Sequence, residues 1–205
     1  MSVVSTSRLE AFSDGVIAIA ITLLVLDLKV PEVGDRALWS ALRAQWPAYL
    51  GYATSFATIG IMWVNHHAMV HTMARVNRTL LFGNLALLFG IATLPFTTSL
   101  ATRWLRAGDD AHLAVALYCG SMVAIGVVFV ATWGYLGRHP ELLRPGTPPE
   151  VPAKAARRSV VGPCAYLAAL LVALVSAVGA LVICAAVAAY FVLPVRPEGG
   201  DGHRG

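Results

Sequence analysis

Apolar runs of about span length alternate along this chain with short polar stretches. A bilayer hydrocarbon core about 30 Å thick takes about 20 residues of α-helix. Six stretches meet that length, at 7–28, 45–66, 78–100, 112–137, 158–176 and 178–194. The last two belong to one run from Val160 to Pro194, too long for an ordinary span, so the pattern predicts a tight turn at Ser176 to Gly179. A five-span division would put the C-terminus on the other side of the membrane. Residues 138–152, with prolines at 140, 145, 148, 149 and 152, read as a polar linker without helical periodicity. Residues 1–195 are then one transmembrane domain, and 196–205 a disordered cytoplasmic tail. No internal repeat is visible.

The first span carries polar residues inside an apolar helix. Ser7 and Glu10 have the spacing of a capping box, which predicts the helix start there. With about 100° per residue and Ile19 at zero, Gly15, Thr22, Leu23 and Leu26 fall within about 60° of it. Asp14 lies about 140° away and Glu10 about 180° away. A carboxylate inside a membrane helix faces the bundle interior and needs a partner. Arg8 sits on another face of the same helix. The stretch WVNHHAMVHTMARVNRTLLFGNL offers Trp63, Asn65, His66, His67, His71, Arg75, Asn77, Arg78 and Asn84 at a similar depth. The pattern predicts that donors of the second and third spans hold Ser13 and Asp14, which makes Asp14 a support for the Ile19 edge and not an ion ligand.

Composition fixes the solvent. The chain is 58% hydrophobic and 13% charged, with a mean hydropathy of +0.70, which suits an all-α integral membrane protein and not a water-facing surface. The N-terminus lacks a basic region followed by a short apolar core and a small-residue cleavage site, so the first helix is expected to be retained. With the N-terminus inside, the inner segments hold Arg8, Arg75, Arg78, Arg138, Arg144, Lys154, Arg157, Arg158, Arg196 and Arg204. The outer ones hold only Lys29, Arg36, Arg43, Arg103 and Arg106. That bias puts both termini in the cytoplasm of a multi-pass protein of the cell membrane. Trp39, Trp46 and Trp104 then mark the outer interface, and Trp133 and Tyr135 the inner one. The net charge of +4 forms no basic patch for nucleic acid.

Several local patterns carry no chemistry. Cys119, Cys164 and Cys184 lie in apolar runs without CxxC spacing and read as small core residues. His67 and His71 at i and i+4 lack the accompanying ligands of a metal site. TWGYLG at 132–137 superficially matches the potassium-channel filter TVGYG, but it ends a helix with no pore helix before it. Ala165, Ala169, Ala173 and Ala177 form a small-residue stripe for close helix packing. Periodicity alone reads Ile19, Leu23 and Leu26 as packing or lipid contact. No nucleophile, base and orienting group cluster, so no enzyme is expected.

Arg8, Phe12, Ser13 and Asp14, in R-x-x-x-F-S-D followed by GVIAIAITLLVLDLKVP, resemble the hallmark of the transmembrane protein 175 family. Trp63, His67 and NLALLFGIATLPF from Asn84 to Phe96 extend the likeness over residues 7–100. The resemblance implies a potassium channel whose subunit has six spans and assembles as a homotetramer in the lipid bilayer, the first helices lining one pore. It implies an apolar constriction at Ile19, Leu23 and Leu26, a hydroxyl at Thr22 linked to potassium preference, and a supporting network that includes Arg8, Ser13 and Asp14. Ala18 stands where some animal repeats carry serine, which implies weaker preference for potassium over sodium. No cofactor is expected; potassium is the permeant ion among monovalent cations. Asp27, Glu32 and Asp35 near the outer mouth are expected to enrich cations. A proton-coupled secondary transporter using Asp14 and the histidines is the rival reading, though the repeats and broken helices usual in transporters are not evident. A non-conducting scaffold is a third.

Overall fold

The structure is a computed structural model that describes residues 5–32 and 37–192. Asp35, Pro194 and the tail 196–205 lie outside the described residues. The described residues form an all-α protein with seven α-helices: α1 (Thr6–Leu23), α2 (Leu38–Ala44), α3 (Trp46–His71), α4 (Arg78–Trp104), α5 (Asp109–Arg138), α6 (Glu150–Ala173) and α7 (Ala177–Val192). Four segments are long and apolar enough to cross a membrane: Thr6–Asp27, α4, α5 and α6. The seven-residue α2 has no counterpart among the six predicted stretches. α7 has 16 residues, about 24 Å of helix.

The bundle is layered around α5, which packs against α4 on one side and α6 on the other, while α7 closes on α6, α3 and α5. α1 lies across α3 and α4. Close approach of α5 to α6 depends on Gly126, where an added Cβ would stand 2.8 Å from Pro163 Cδ. Asn77 starts α4 by accepting the Leu80 backbone N–H at 3.0 Å, satisfying one of the donors that every helix leaves open at its start. Asp109 and Asp110 open α5 and Arg138 closes it, each placed to complement the helix dipole.

Several expectations are corrected. Ser7 lies inside α1 and forms no capping box; Ser5 is the N-cap, its carbonyl accepting from the amides of Arg8 and Leu9 at 3.1 and 3.3 Å. The first helix does not run on as α-helix to residue 28. It tightens after Leu23 into a 3₁₀ turn, Leu24–Asp27, and Val30 before Pro31 favours extended chain beyond it. The turn before α7 falls at Leu174–Ser176, slightly earlier than expected.

The linker 138–152 is ordered where periodicity gave none. Ala74 N–H donates to Leu142 O at 2.8 Å and Arg144 N–H to Thr72 O at 2.9 Å, which buries Leu142 and Leu143. The order comes from pairing with the α3–α4 loop and not from local helix propensity. α6 begins at Glu150, with Pro149 as its N-cap, because proline is tolerated at a helix start. Trp133 is buried in the bundle and is no interfacial anchor. Cys119 and Cys184 are buried, whereas Cys164 is exposed and not a core residue.

Candidate pore-lining helix and its anchors

One stripe of α1 faces its own subunit. Leu9, Ser13, Ile17 and Ala20 are buried, and Leu24 continues the stripe into the 3₁₀ turn. Those spacings of three and four residues keep one face inward. The opposite edge is apolar and uncovered: Ile19 is 61% exposed, Leu23 44% and Leu26 71%. Thr22 is exposed on the same edge, and Phe12, which was read only as part of a motif, continues it toward the N-terminus. Side chains at i and i+3 eclipse in a 3₁₀ turn. Leu26 therefore lies closer to a line above Leu23 than uniform α-helical angles imply.

The polar residues tie α1 down near its N-terminal end. Trp63 Nε1 donates to Asp14 Oδ1 at 2.9 Å. Glu10 Oε1 lies 2.9 Å from His67 Nδ1. Deeper in, His66 Nε2 donates to Asn84 Oδ1 at 2.8 Å, and Asn84 Nδ2 donates to Ser13 Oγ at 3.0 Å. Ser13 Oγ donates to Leu9 O at 2.8 Å. Ser13 and His66 are fully buried, so this chain satisfies the Ser13 hydroxyl and one ring nitrogen of His66, groups otherwise costly in an apolar interior, while His66 Nδ1 has no partner among the described residues. It uses the Nε2–H tautomer of His66, because Asn84 Oδ1 can only accept. Arg8 is exposed and its guanidinium makes no hydrogen bond or ion pair among the described residues; the structure brings it to none of the other anchor residues.

A second anchor holds the far end. Asp27 accepts from Ser99 Oγ at 2.7 Å, Thr102 Oγ1 at 3.0 Å and the Arg103 guanidinium at 3.0 and 3.2 Å. The Asp27 carboxylate is only 12% exposed. Its charge is neutralised inside the subunit, which corrects the expectation that it adds to a negative outer mouth. Glu32 is exposed. His67 and His71 stack at 5.5 Å between centroids, and no group of three or more potential metal ligands occurs among the described residues.

Sequence reasoning kept His67 among the site residues and left His66 among its neighbours, although His66 shares a buried face with Ser55, Ile59, Met62 and Met69. That 3.6-residue rhythm was the available signal. From sequence alone Asp27 has the pattern of a surface charge, because its partners lie more than seventy residues away. Ser99, Thr102 and Arg103 do share one helix face, at i, i+3 and i+4.

The sequence profile described as Endosomal/lysosomal potassium channel TMEM175 matches residues 8–95, which hold most of α1, all of α2 and α3, and most of α4. A protein named as a potassium channel in Streptomyces collinus is 49% identical over 153 residues, covering 74% of this chain and 72% of that relative. The chain belongs to the TMEM175 family. A TMEM175 relative in Chamaesiphon minutus, also named a potassium channel, is 38% identical over 92% of this chain and 94% of its own length. The crystal structure of a lysosomal potassium-selective channel TMEM175 homolog from Chamaesiphon minutus superposes with a TM-score of 0.78 at 37% identity. It covers 91% of this chain and 95% of that one. The TMEM175 likeness therefore extends well past the stretch 7–100 that carries the motifs.

Proposed function

We propose that this chain is the subunit of a passive potassium channel, a homotetramer in the cell membrane whose four α1 helices surround one pore. Potassium moves down its electrochemical gradient through rings of Ile19, Leu23 and Leu26. The observation that carries this reading is the two-faced α1: an uncovered apolar edge backed by a buried stripe and anchored at both ends. An edge destined only for lipid has no need of two polar anchors to fix its azimuth. The channel names of the bacterial relatives support the ion and its passive movement.

In this arrangement α1 and α3 to α7 are the six spans, α2 lies at the outer surface, and both termini face the cytoplasm, in keeping with the arginine and lysine bias. Rings of branched apolar side chains close a pore by dewetting, since an ion stripped of water finds no ligands there. Thr22 Oγ1 donates to Ala18 O and Ile19 O, each at 2.9 Å. With its proton committed to the helix, the hydroxyl oxygen keeps lone-pair capacity for a cation on the exposed edge. Because α1 is fixed to α3 near Asp14 and to α4 at Asp27, opening moves these helices together. Ser13, Asp14, Trp63, His67 and Asn84 support the edge and stay out of the ion path, while Arg8 makes no contact among the described residues that would give it a part in that support.

The test is electrical recording of the purified full chain in liposomes under opposed potassium and sodium gradients. The reading expects single-channel currents and a reversal potential nearer that of potassium. Unit turnover in the range of a carrier, coupled to a pH gradient, would establish the proton-coupled transporter instead.

A further inference from the structure

Beyond the conduction path, the bundle holds a cleft of about 350 Å³ between α3 and α6, floored by α5. That volume lies within the range of about 300–1,000 Å³ found for small-molecule sites. Its depth is apolar, with Ile125, Phe129 and Tyr166 among the walls. Its mouth is different. Lys154 and Arg158, one turn apart on α6, line it together with Ser159 and with Asn65 of α3. None of these four side chains makes a hydrogen bond or ion pair among the described residues. Arginine and lysine of a membrane helix often reach toward the headgroups merely to stay solvated. Here the two cations flank an apolar cleft of ligand size, with a hydroxyl and an amide beside them, and no carboxylate among the described residues lines the cleft.

We infer that the α3–α6 cleft holds an acyl chain of an anionic membrane glycerophospholipid, with the lipid phosphate between Lys154 and Arg158. Charge selects the occupant: the mouth offers two cations and two neutral hydrogen-bonding groups to one phosphate, while the apolar depth rejects a soluble anion and accepts a hydrocarbon tail. The level is right as well. Lys154 and Arg158 stand near the start of α6, and Tyr166 lies eight residues deeper, about 12 Å along the helix. Basic pockets between membrane helices on the cytoplasmic side hold anionic headgroups in this way. Lipid in the cleft would join α6 to α3, the helix that anchors α1. The inference rests on the membrane placement proposed above but does not require conduction.

The cleft provides its own blocking variant. An added Cβ at Gly162, which lines it, meets nothing within 4 Å, so Gly162→Phe fills the space without a backbone clash. The experiment is native mass spectrometry of the intact purified protein titrated with phosphatidylglycerol, phosphatidylcholine or inorganic phosphate, with conductance recorded in parallel. Wild type is expected to retain phosphatidylglycerol in preference to phosphatidylcholine. The double variant Lys154→Gln, Arg158→Gln should bind phosphatidylglycerol about 25-fold more weakly, from the usual strength of two basic contacts to anionic lipid. Gly162→Phe should lose the bound lipid while keeping the thermal midpoint of wild type. Equal retention of both lipids, no change in either variant, or saturable binding of inorganic phosphate alone would overturn the inference. Selective lipid retention without potassium current would uphold it and reject the channel reading, and current without selective retention would do the reverse.

Discussion

The indole N–H of Trp63 on α3 donates to the Asp14 carboxylate on α1 at 2.9 Å. This contact turns the acid of an apolar helix toward its neighbour and away from the Ile19 edge. Trp63→Phe keeps an aromatic ring, smaller than the indole, and removes the donor. It is expected to lower stability by roughly 1.5–3 kcal/mol, the usual range for a hydrogen bond to a charged group, seen as a lower thermal midpoint in detergent. Asp14→Asn should lose less, because the amide oxygen still accepts. In a double-mutant cycle, Trp63→Phe with Asp14→Ala should cost less than the sum of the singles. Strict additivity would show that the contact does not stabilise the protein.

Asn84 has a larger effect in prospect because both ends of its amide are in use. Asn84→Leu leaves His66 Nε2 without its acceptor at 2.8 Å and removes the donor to Ser13 Oγ at 3.0 Å, while Ser13 keeps its bond to Leu9 O. A buried donor left without an acceptor, as His66 Nε2 then is, costs about 1–3 kcal/mol, and the lost Asn84–Ser13 bond adds about 0.5–1.5 kcal/mol. The variant is expected to reduce the yield of assembled protein and its thermal midpoint more than Trp63→Phe does. Adding Ser13→Ala should recover part of the loss. A midpoint equal to that of wild type would contradict the buried chain of bonds.

Asp27 and Glu32 should separate by charge effect. Asp27 is paired with Arg103, so removing both charges together, Asp27→Asn with Arg103→Gln, is expected to leave the dependence of conductance on salt unchanged while speeding amide exchange at Leu28, whose N–H closes the 3₁₀ turn onto Val25 O. Glu32→Gln removes an exposed charge, and should reduce conductance at low salt and not at high salt. The opposite assignment of these two effects would restore Asp27 to the outer mouth.

Gly126 tests the α5–α6 contact. Gly126→Leu brings a side chain against Pro163 where a Cβ alone would stand at 2.8 Å. Overpacking of this kind costs about 1–3 kcal/mol. The thermal midpoint should fall for Gly126→Leu and hold for Gly162→Leu, whose surroundings are open. Equal midpoints would show that the crossing is loose.

Much of this was legible in the sequence because a bilayer leaves little freedom. Apolar length announces a helix, and an acid within one announces a partner, so Asp14 pointed to the polar stretch around Trp63 and Asn84. The rhythm of α1 separated Ile19 from Asp14 without coordinates. What stayed hidden depends on how helices slide past one another. Whether His66 or His67 meets Asn84, and whether Asp27 meets Ser99, Thr102 and Arg103, is set by interhelical register that no single helix encodes. The strap from Leu142 to Arg144 was missed for a related reason: its order comes from hydrogen bonds to Thr72 and Ala74, not from its own proline-rich sequence.

The most direct measurement of the pore assignment is chemical. In a Cys164→Ala background, which removes the exposed native thiol, Leu23→Cys is treated with a cationic, water-soluble thiol reagent during potassium flux. Leu171→Cys, on the exposed face of α6, serves as the control. The account predicts block at residue 23 and no effect at residue 171. Unchanged flux through Leu23→Cys, with mass spectrometry showing that residue 23 was never modified, would place that edge of α1 against lipid and contradict it.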